Sequence, residues 1–235
     1  MVVLSFALTF TGKAQNSTLD WNALGENSNR MEGKLTGLTY RIPPLANSTH
    51  FMQDRWVEGS ILLEDGDLFE KVRIRYLTFE DELVVYNPNL KQLFIVDKEK
   101  VNSFTFNYTH GQQTFVKLYF DAFVDARYRY FDLKYKGTRW MVAFHYIYEE
   151  KTSVYRDAYG KLKDTQLKPK KTYFMYSPQE EQFRRIQTKR RWFVRLFPEN
   201  KREVRRIFRR NNLRRFDEPQ MVRAFELLDE NGFFN

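Results

Sequence analysis

The chain of 235 residues has a formal net charge of +9 and contains no cysteine. Without cysteine it cannot form disulfides, thiolate metal sites or a cysteine nucleophile. Aromatic residues make up 17% of the chain, which favours strands, because flat side chains pack well across neighbouring strands. Length and composition predict one large domain, with or without appendages, that has ample apolar material for a core.

The first fourteen residues have the pattern of a signal peptide. Residues 2–10 are nearly all apolar, and the small residues Gly12 and Ala14 precede a cleavage position before Gln15. No Lys or Arg precedes the apolar run, so a buried strand is the alternative. We predict a signal peptide over 1–14 and a polar lead-in over 15–50. No other segment approaches the length of a membrane span.

Alternating apolar and charged residues predict antiparallel strands from residue 56 onward. Val72, Ile74 and Tyr76 alternate with basic residues, a period of two that gives a strand one apolar face. The Asp65-Gly66 pair before this run is typical of a tight hairpin turn. The region 56–108 contains five such short strands, which predicts a meander.

Further strands are predicted at 114–120, 128–135 and 139–148. The polar residues 152–171 predict an irregular excursion or a loose hairpin around Gly160, and a last hairpin follows within 173–186. We predict a mainly β (α+β) fold, in which residues 51–187 form an antiparallel meander rolled into a sandwich or partial barrel.

Helical spacing begins near residue 189 and predicts a helical appendage over 188–235. The first helix ends before Pro198, which we expect in the first turn of the second helix. Asp217 is expected to begin the third helix, because Gln220 three residues later completes a pattern like a capping box. Gly232 is the expected terminator of that helix.

The positive charge is concentrated in residues 184–215. This segment holds fourteen Lys plus Arg and two acids, a net charge of +12, so the rest of the chain sums to −3. An apolar stripe of Val204, Ile207 and Phe208 is expected to turn the arginines of the second helix outward. The candidate docking residues are Arg202, Arg205, Arg206, Arg209 and Arg210.

Guanidinium groups on one helix can bind phosphates of nucleic acid, lipopolysaccharide or phospholipid, or the acidic face of a partner protein. If the protein is exported, nucleic acid is the least expected of these partners. The alternative interpretation of the segment is a solvated helix surface with no partner.

The strand at 139–148 carries a second candidate site. Trp140, Phe144, Tyr146 and Tyr148 share one face of this strand. If exposed, their rings would form a platform for sugars or peptides. We favour a core role, because large exposed aromatic patches are uncommon on soluble proteins.

Sequence motifs for catalysis and metal binding are absent. The histidines, His50, His110 and His145, do not stand at metal-ligand spacing. The acidic runs at 64–67 and 80–82 lack the ligand order of a calcium loop. We predict no metal, cofactor or catalytic residue and lean towards a protein that is not an enzyme. Paired carboxylates for glycoside hydrolysis stay open, because strands can bring any two together.

Several short stretches are distinctive in combination. They are Arg55-Trp56-Val57-Glu58-Gly59-Ser60, Glu64-Asp65-Gly66, Arg75-Tyr76, Asp81-Glu82-Leu83, Thr172-Tyr173-Phe174-Met175-Tyr176 and Leu196-Phe197-Pro198. Together they resemble an uncharacterised family of exported, β-rich envelope proteins of Bacteroidota. The resemblance spans most of residues 56–232. It implies export to the periplasm or outer-membrane periphery of a Gram-negative bacterium, and it implies no activity and no functional residues.

These observations predict a non-catalytic envelope protein whose basic helices dock on an anionic surface or a partner protein. A carbohydrate-binding β module that uses the aromatic strand is the alternative, and an enzyme of unrecognised type follows it. The sequence leaves the oligomeric state open.

Overall fold

The computed structural model describes residues 34–35, 37–40, 50–53, 55–121, 126–156 and 159–234. The predicted signal peptide and most of the predicted lead-in lie outside the described residues. The strands are β1 (Gly37–Thr39), β2 (Val57–Leu63), β3 (Leu68–Leu77), β4 (Glu82–Asn87), β5 (Gln92–Val96), β6 (Val101–Tyr108), β7 (Gly111–Phe120), β8 (Arg127–Tyr135), β9 (Trp140–Arg156), β10 (Leu162–Ser177) and β11 (Gln182–Arg185). The helices are α1 (Arg190–Leu196), α2 (Lys201–Arg210) and α3 (Glu218–Glu230).

All eleven of these strands belong to one antiparallel sheet, in the order β1-β5-β4-β3-β2-β6-β7-β8-β9-β10-β11. The helices follow the sheet in the chain. The predicted antiparallel β fold with a C-terminal helical appendage is therefore confirmed. The predicted apolar face of β3 is also observed, because Val72, Ile74 and Tyr76 are buried and Arg73 is exposed.

One pairing within the predicted meander is wrong. β6 pairs with β2, where Phe104 lies beside Ile61, and not with β5, the strand before it in the chain. β5 and β6 are four positions apart in the sheet, which is about 19 Å on a flat sheet with about 4.8 Å between strands.

The chain nevertheless crosses from β5 to β6 in a tight turn. The backbone N–H of Lys100 donates to the carbonyl of Asp97 at 3.1 Å, and a turn of this kind brings its ends within about 7 Å. The sheet must therefore curl so strongly that β2–β6 form a partial barrel. Local alternation carries no information about this curl, which explains the wrong pairing.

Large aromatic side chains fill the partial barrel. Tyr76, Phe104, Phe106, Phe115 and Tyr130 are all fully buried. Phe104 stacks on Phe115 with 4.9 Å between ring centroids, and Tyr76 meets Tyr130 edge-on at 6.1 Å. Since Phe115 and Tyr130 come from β7 and β8, this first core ties the barrel to the second half of the sheet.

A buried carboxylate strengthens the same junction. Asp81 lies in the turn before β4, where its Oδ1 accepts from the Tyr76 hydroxyl at 2.6 Å and from the Tyr130 backbone N–H at 3.3 Å. Its Oδ2 accepts from Lys98 at 2.8 Å. Burial raises the pKa of Asp81, although Lys98 opposes the rise. One side chain thus joins the β3–β4 turn, β8 and the β5–β6 turn.

The hairpin alternative is observed for the polar region near Gly160. β9 and β10 pair from Trp140 beside Tyr176 to Arg156 beside Leu162, with one irregularity between Lys163 and Thr165. Gly160 has a φ angle of 75° in the connecting turn, a conformation that glycine adopts without a Cβ clash. The predicted strands were too short here because charged side chains interrupt the apolar alternation.

The three helices enclose a second core against the sheet. Phe193 of α1, Phe208 of α2 and Phe225 of α3 are fully buried together with Met141 of β9. Tyr173 of β10 packs against the same cluster. The helical appendage is therefore packed on the sheet and holds its exposed side in a fixed orientation.

The predicted start of α2 is wrong, whereas the predicted start of α3 is correct. Pro198 lies in the connection before α2, and Asn200 is the N-cap residue, so the prediction of Pro198 in the first turn is wrong. The first hydrogen bond of α2 runs from Val204 N–H to the Asn200 carbonyl at 3.1 Å. The predicted N-cap of α3 is correct, because the Asp217 carboxylate accepts from the Gln220 N–H at 3.2 Å.

Candidate functional site

The five candidate docking arginines lie on the exposed side of α2. Val204 and Phe208 are buried beneath the helix, whereas all five arginines are exposed. At 100° per residue, the arginines lie within about 140° of arc opposite this buried stripe. They are Arg202, Arg205, Arg206, Arg209 and Arg210. The predicted outward orientation is therefore observed, and we call these five side chains the basic face.

The basic face has little internal charge compensation. Within the described part of the chain, Arg206 is the one member that meets a carboxylate, that of Glu203 at 3.3 Å, and both side chains are at least half exposed. Exposed pairs of this kind contribute little to stability. Arg191 and Arg195 of α1 and Arg214 beyond α2 are exposed as well, so positive charge continues around the basic face.

The basic face has a rigid support and a polar surface. The Arg190 guanidinium donates to the Arg205 carbonyl at 2.9 Å and so links α1 to α2. The exposed large hydrophobic side chains of the described chain all lie outside residues 184–215. A partner that binds here therefore meets guanidinium groups and little apolar surface.

The aromatic candidate residues are mostly part of the core. Phe144 is 4% exposed and belongs to a third apolar cluster, on the sheet surface opposite the helices, with Phe131 and Phe174. Trp140 and Tyr146 pack against this cluster and are half-buried. Tyr148 is half-buried as well. Phe144 is therefore not available to a ligand, and the platform does not form as one exposed surface.

A buried polar network on the other surface of the sheet was not predicted from the sequence. Its centre is Asp132 of β8, which is fully buried between the first and second cores. The Oδ2 atom of Asp132 accepts from Gln113 Nε2 at 2.7 Å, His145 Nε2 at 2.8 Å and Lys134 Nζ at 2.8 Å. Three strands, β7, β8 and β9, thus direct polar side chains to one carboxylate oxygen.

The network extends from Asp132 to the helical appendage. Lys134 also contacts Glu218 Oε1 at 3.0 Å. The other oxygen of Glu218 accepts from Lys171 Nζ at 2.8 Å and from the Tyr173 hydroxyl at 2.7 Å. Glu218 is the first residue of α3, so this cluster joins the helix to β8 and β10.

The electrostatic environment keeps both carboxylates ionised. Burial raises the pKa of Asp132, but the hydrogen bond from His145 and the charge of Lys134 outweigh burial and hold this pKa below its ordinary value. Burial likewise opposes ionisation of Glu218, but hydrogen bonds from Lys171, Tyr173 and Lys134 lower its pKa to about 2. At neutral pH, both side chains are therefore acceptors.

A cavity of about 550 Å³ opens beside this network. His145 and Gln113 form part of its wall, together with Tyr108 from β6 and Lys171 from β10. Thr78, next to β3, also lines it, although β3 and β10 are six positions apart in the sheet. The curl of the sheet creates this cleft, and we call it the polar cleft.

A weak signal for the polar cleft exists in the sequence. Asp132 lies in the middle of the aromatic run of β8, and His145 is in phase with the buried Ala143 and Ile147 of β9. A polar residue at an inward strand position indicates a buried hydrogen-bonded cluster. The pairing of β8 with β9, which places Asp132 beside Ala143, is needed to bring the two polar residues together.

Metal-binding groups and membrane-spanning helices were considered as further features of the described residues. The described residues contain no group of three or more His, Asp or Glu side chains arranged to hold a metal ion. None of the helices in the described ranges is long and apolar enough to cross a membrane.

Comparison of the chain with known protein families, with characterised proteins and with solved structures finds no match.

Proposed function

We propose that this protein is a non-catalytic, exported envelope protein that docks through its basic face on a membrane surface rich in anionic lipid phosphates. The observation that carries the proposal is the exposure of five arginines on one side of α2, with a single carboxylate partner in the described chain. Arginine is suited to this role because its planar guanidinium binds phosphate oxygens in pairs.

The five arginines place like charges close together on one helix. Arginines three and four positions apart repel one another and weaken the helix unless anions collect beside them. Near an anionic lipid surface, each Lys or Arg contributes about 1 kcal/mol of attraction. The five arginines together therefore give an upper bound of about 5 kcal/mol, which corresponds to weak and reversible docking.

The absence of exposed large apolar side chains from residues 184–215 favours adsorption without insertion. Such adsorption depends on charge alone, so added salt should weaken it. An acidic partner protein is the competing explanation, and it predicts binding to native envelope material that pure lipid vesicles do not reproduce.

The test is flotation with vesicles of phosphatidylcholine and phosphatidylglycerol, with vesicles of phosphatidylcholine as the neutral control. In the test variant, all five residues of the basic face are replaced by Gln. In the matched control, five exposed cations elsewhere are replaced by Gln; they are Lys71, Arg73, Lys91, Lys100 and Lys136. Both variants lose five positive charges, so they separate the position of charge from net charge.

We expect wild-type protein and the control variant to float with the anionic vesicles, and the basic-face variant to stay in solution. Far-UV circular dichroism should be the same for all three proteins. Equal flotation of the two variants would show that net charge and not the basic face is responsible. Failure of the wild-type protein to float would refute the proposed lipid docking.

A further inference from the structure

The polar cleft has the size and lining of a ligand site. Its volume of about 550 Å³ falls within the roughly 300–1,000 Å³ that is typical of small-molecule pockets. A second cavity of about 450 Å³ shares Tyr108 and Gln113 with it and has Asp132 in its wall. The proposed docking function uses none of these residues.

A buried hydrogen-bond acceptor without a donor belongs to Asp132, in the wall of the second cavity. Asp132 is 0% exposed, and its Oδ1 atom has no partner among the described groups, although Oδ2 accepts from three. A second buried acceptor without a partner is the side-chain oxygen of Gln53, and this residue lines the polar cleft itself. Buried acceptors without a donor are unfavourable, and hydroxyl groups of a ligand would satisfy them.

The charges of the surrounding network are balanced. Asp132 and Glu218 contribute two negative charges, and Lys134 and Lys171 contribute two positive charges, all joined by contacts of 3.0 Å or less. The network therefore attracts neither anions nor cations strongly. Lys170 adds one further positive charge to the lining, but its side chain is exposed and therefore screened. A neutral ligand thus fits the buried part of the cleft better than an ion does.

Hydrogen-bond donors, hydrogen-bond acceptors and apolar side chains all line the cleft. His145 and Lys171 are register partners on β9 and β10 and so project to the same side. Phe51, Met52 and the Tyr108 ring provide apolar surface, and burial raises the pKa of the Tyr108 hydroxyl to about 12. Sugars have hydroxyl edges and apolar C–H faces, which match such a lining.

We propose that the polar cleft binds a neutral saccharide, with Gln113, His145 and the unpartnered side-chain oxygen of Gln53 as hydrogen-bonding groups. This site differs from the aromatic platform that the sequence suggested for carbohydrate, because Tyr146 is the one member of that set that lines the cleft, whereas Trp140, Phe144 and Tyr148 do not. Saccharide binding is independent of lipid docking, so the basic-face variant should bind saccharide normally.

The test is saturation-transfer difference NMR on the full chain with maltose, cellobiose, lactose and N,N′-diacetylchitobiose. Glucuronate and glucose 6-phosphate serve as charged probes. We expect saturation of at least one neutral disaccharide and weaker saturation of both charged probes. No transfer to any neutral disaccharide, or stronger transfer to the charged probes, would overturn the proposal.

Variants assign the binding to the polar cleft. His145→Ala and Gln113→Ala should each weaken binding of the neutral disaccharide that shows saturation transfer, by about tenfold or more. This is the loss expected when a hydrogen bond is removed in a buried site. Tyr148→Ala is the control outside the cleft lining and should retain binding. Because Gln113 and His145 are separate hydrogen-bond partners of Asp132, Gln113→Ala keeps the test valid if His145→Ala unfolds. Retention of full affinity by folded Gln113→Ala protein, or loss in Tyr148→Ala, would contradict the assignment.

Discussion

The carboxylate of Glu218 should stabilise the packing of the helical appendage on the sheet. Its side chain is 28% exposed and accepts from Lys134, Lys171 and Tyr173 at 3.0 Å or less. These donors, which outweigh the opposing effect of burial, lower its pKa from 4.5 to about 2. At about 1.4 kcal/mol per tenfold change in proton affinity, this difference corresponds to about 3 kcal/mol.

Partial solvent contact screens these interactions, so we expect Glu218→Gln to lower the free energy of unfolding by about 1–2 kcal/mol at pH 7. The pKa is lower in the folded state than in the unfolded chain. The stabilisation is therefore fully present above pH 4.5 and is lost as the pH falls towards about 2. The difference between wild type and variant should shrink over the same range.

Urea unfolding at a series of pH values from neutral to acidic measures this difference directly. Glu226→Gln is the matched control on α3, because Glu226 forms one exposed pair with Arg223, and it should change stability by less than about 0.5 kcal/mol. A wild-type minus Glu218→Gln difference that is the same at acidic and neutral pH would refute the reasoning.

Three further predictions concern the barrel and the N-terminus. Ile74→Asp should lower the free energy of unfolding by about 4 kcal/mol, because Ile74 is 0% exposed and a buried unpaired charge is costly. Arg73 is exposed, so Arg73→Asp should change the free energy of unfolding by less than about 0.5 kcal/mol. Similar melting temperatures for the two variants would contradict this prediction. Gly59→Ala should lower the melting temperature strongly, since an added Cβ would meet the Thr105 carbonyl; an unchanged value would show that β2 and β6 do not approach so closely. N-terminal sequencing of native protein should find Gln15 first, and a retained Met1 or Val2 would disprove the predicted signal peptide.

Local sequence patterns predicted most elements of the sheet. Val72, Ile74 and Tyr76 are buried, whereas Arg73 between them is exposed and Arg75 is half-buried, because β3 has one face in the core and the other at the surface. The β6 pairing with β2 was not predictable in the same way, since it depends on how far the sheet curls. Long-range pairings of this kind are set by packing of the whole barrel and not by a strand's own residues.

The two candidate sites differ in predictability for a similar reason. The basic face follows from the spacing of arginines within one helix, so the stripe of Val204 and Phe208 was sufficient to orient it. The polar network beside the polar cleft requires Asp132, His145 and Glu218 to converge from two strands and a helix. Nothing in their sequence spacing indicates that these side chains share one network.

The most direct test of the account is the salt dependence of wild-type binding to phosphatidylglycerol-containing vesicles. Raising ionic strength from about 0.01 to about 1 M shortens the Debye length from about 30 to about 3 Å, so charges on the basic face should lose most of their attraction. We expect the partition coefficient of the wild-type protein to fall steeply over this range, and the basic-face variant to show no binding above background at either end of it. Binding of wild-type protein that is indifferent to salt would contradict docking through the basic face.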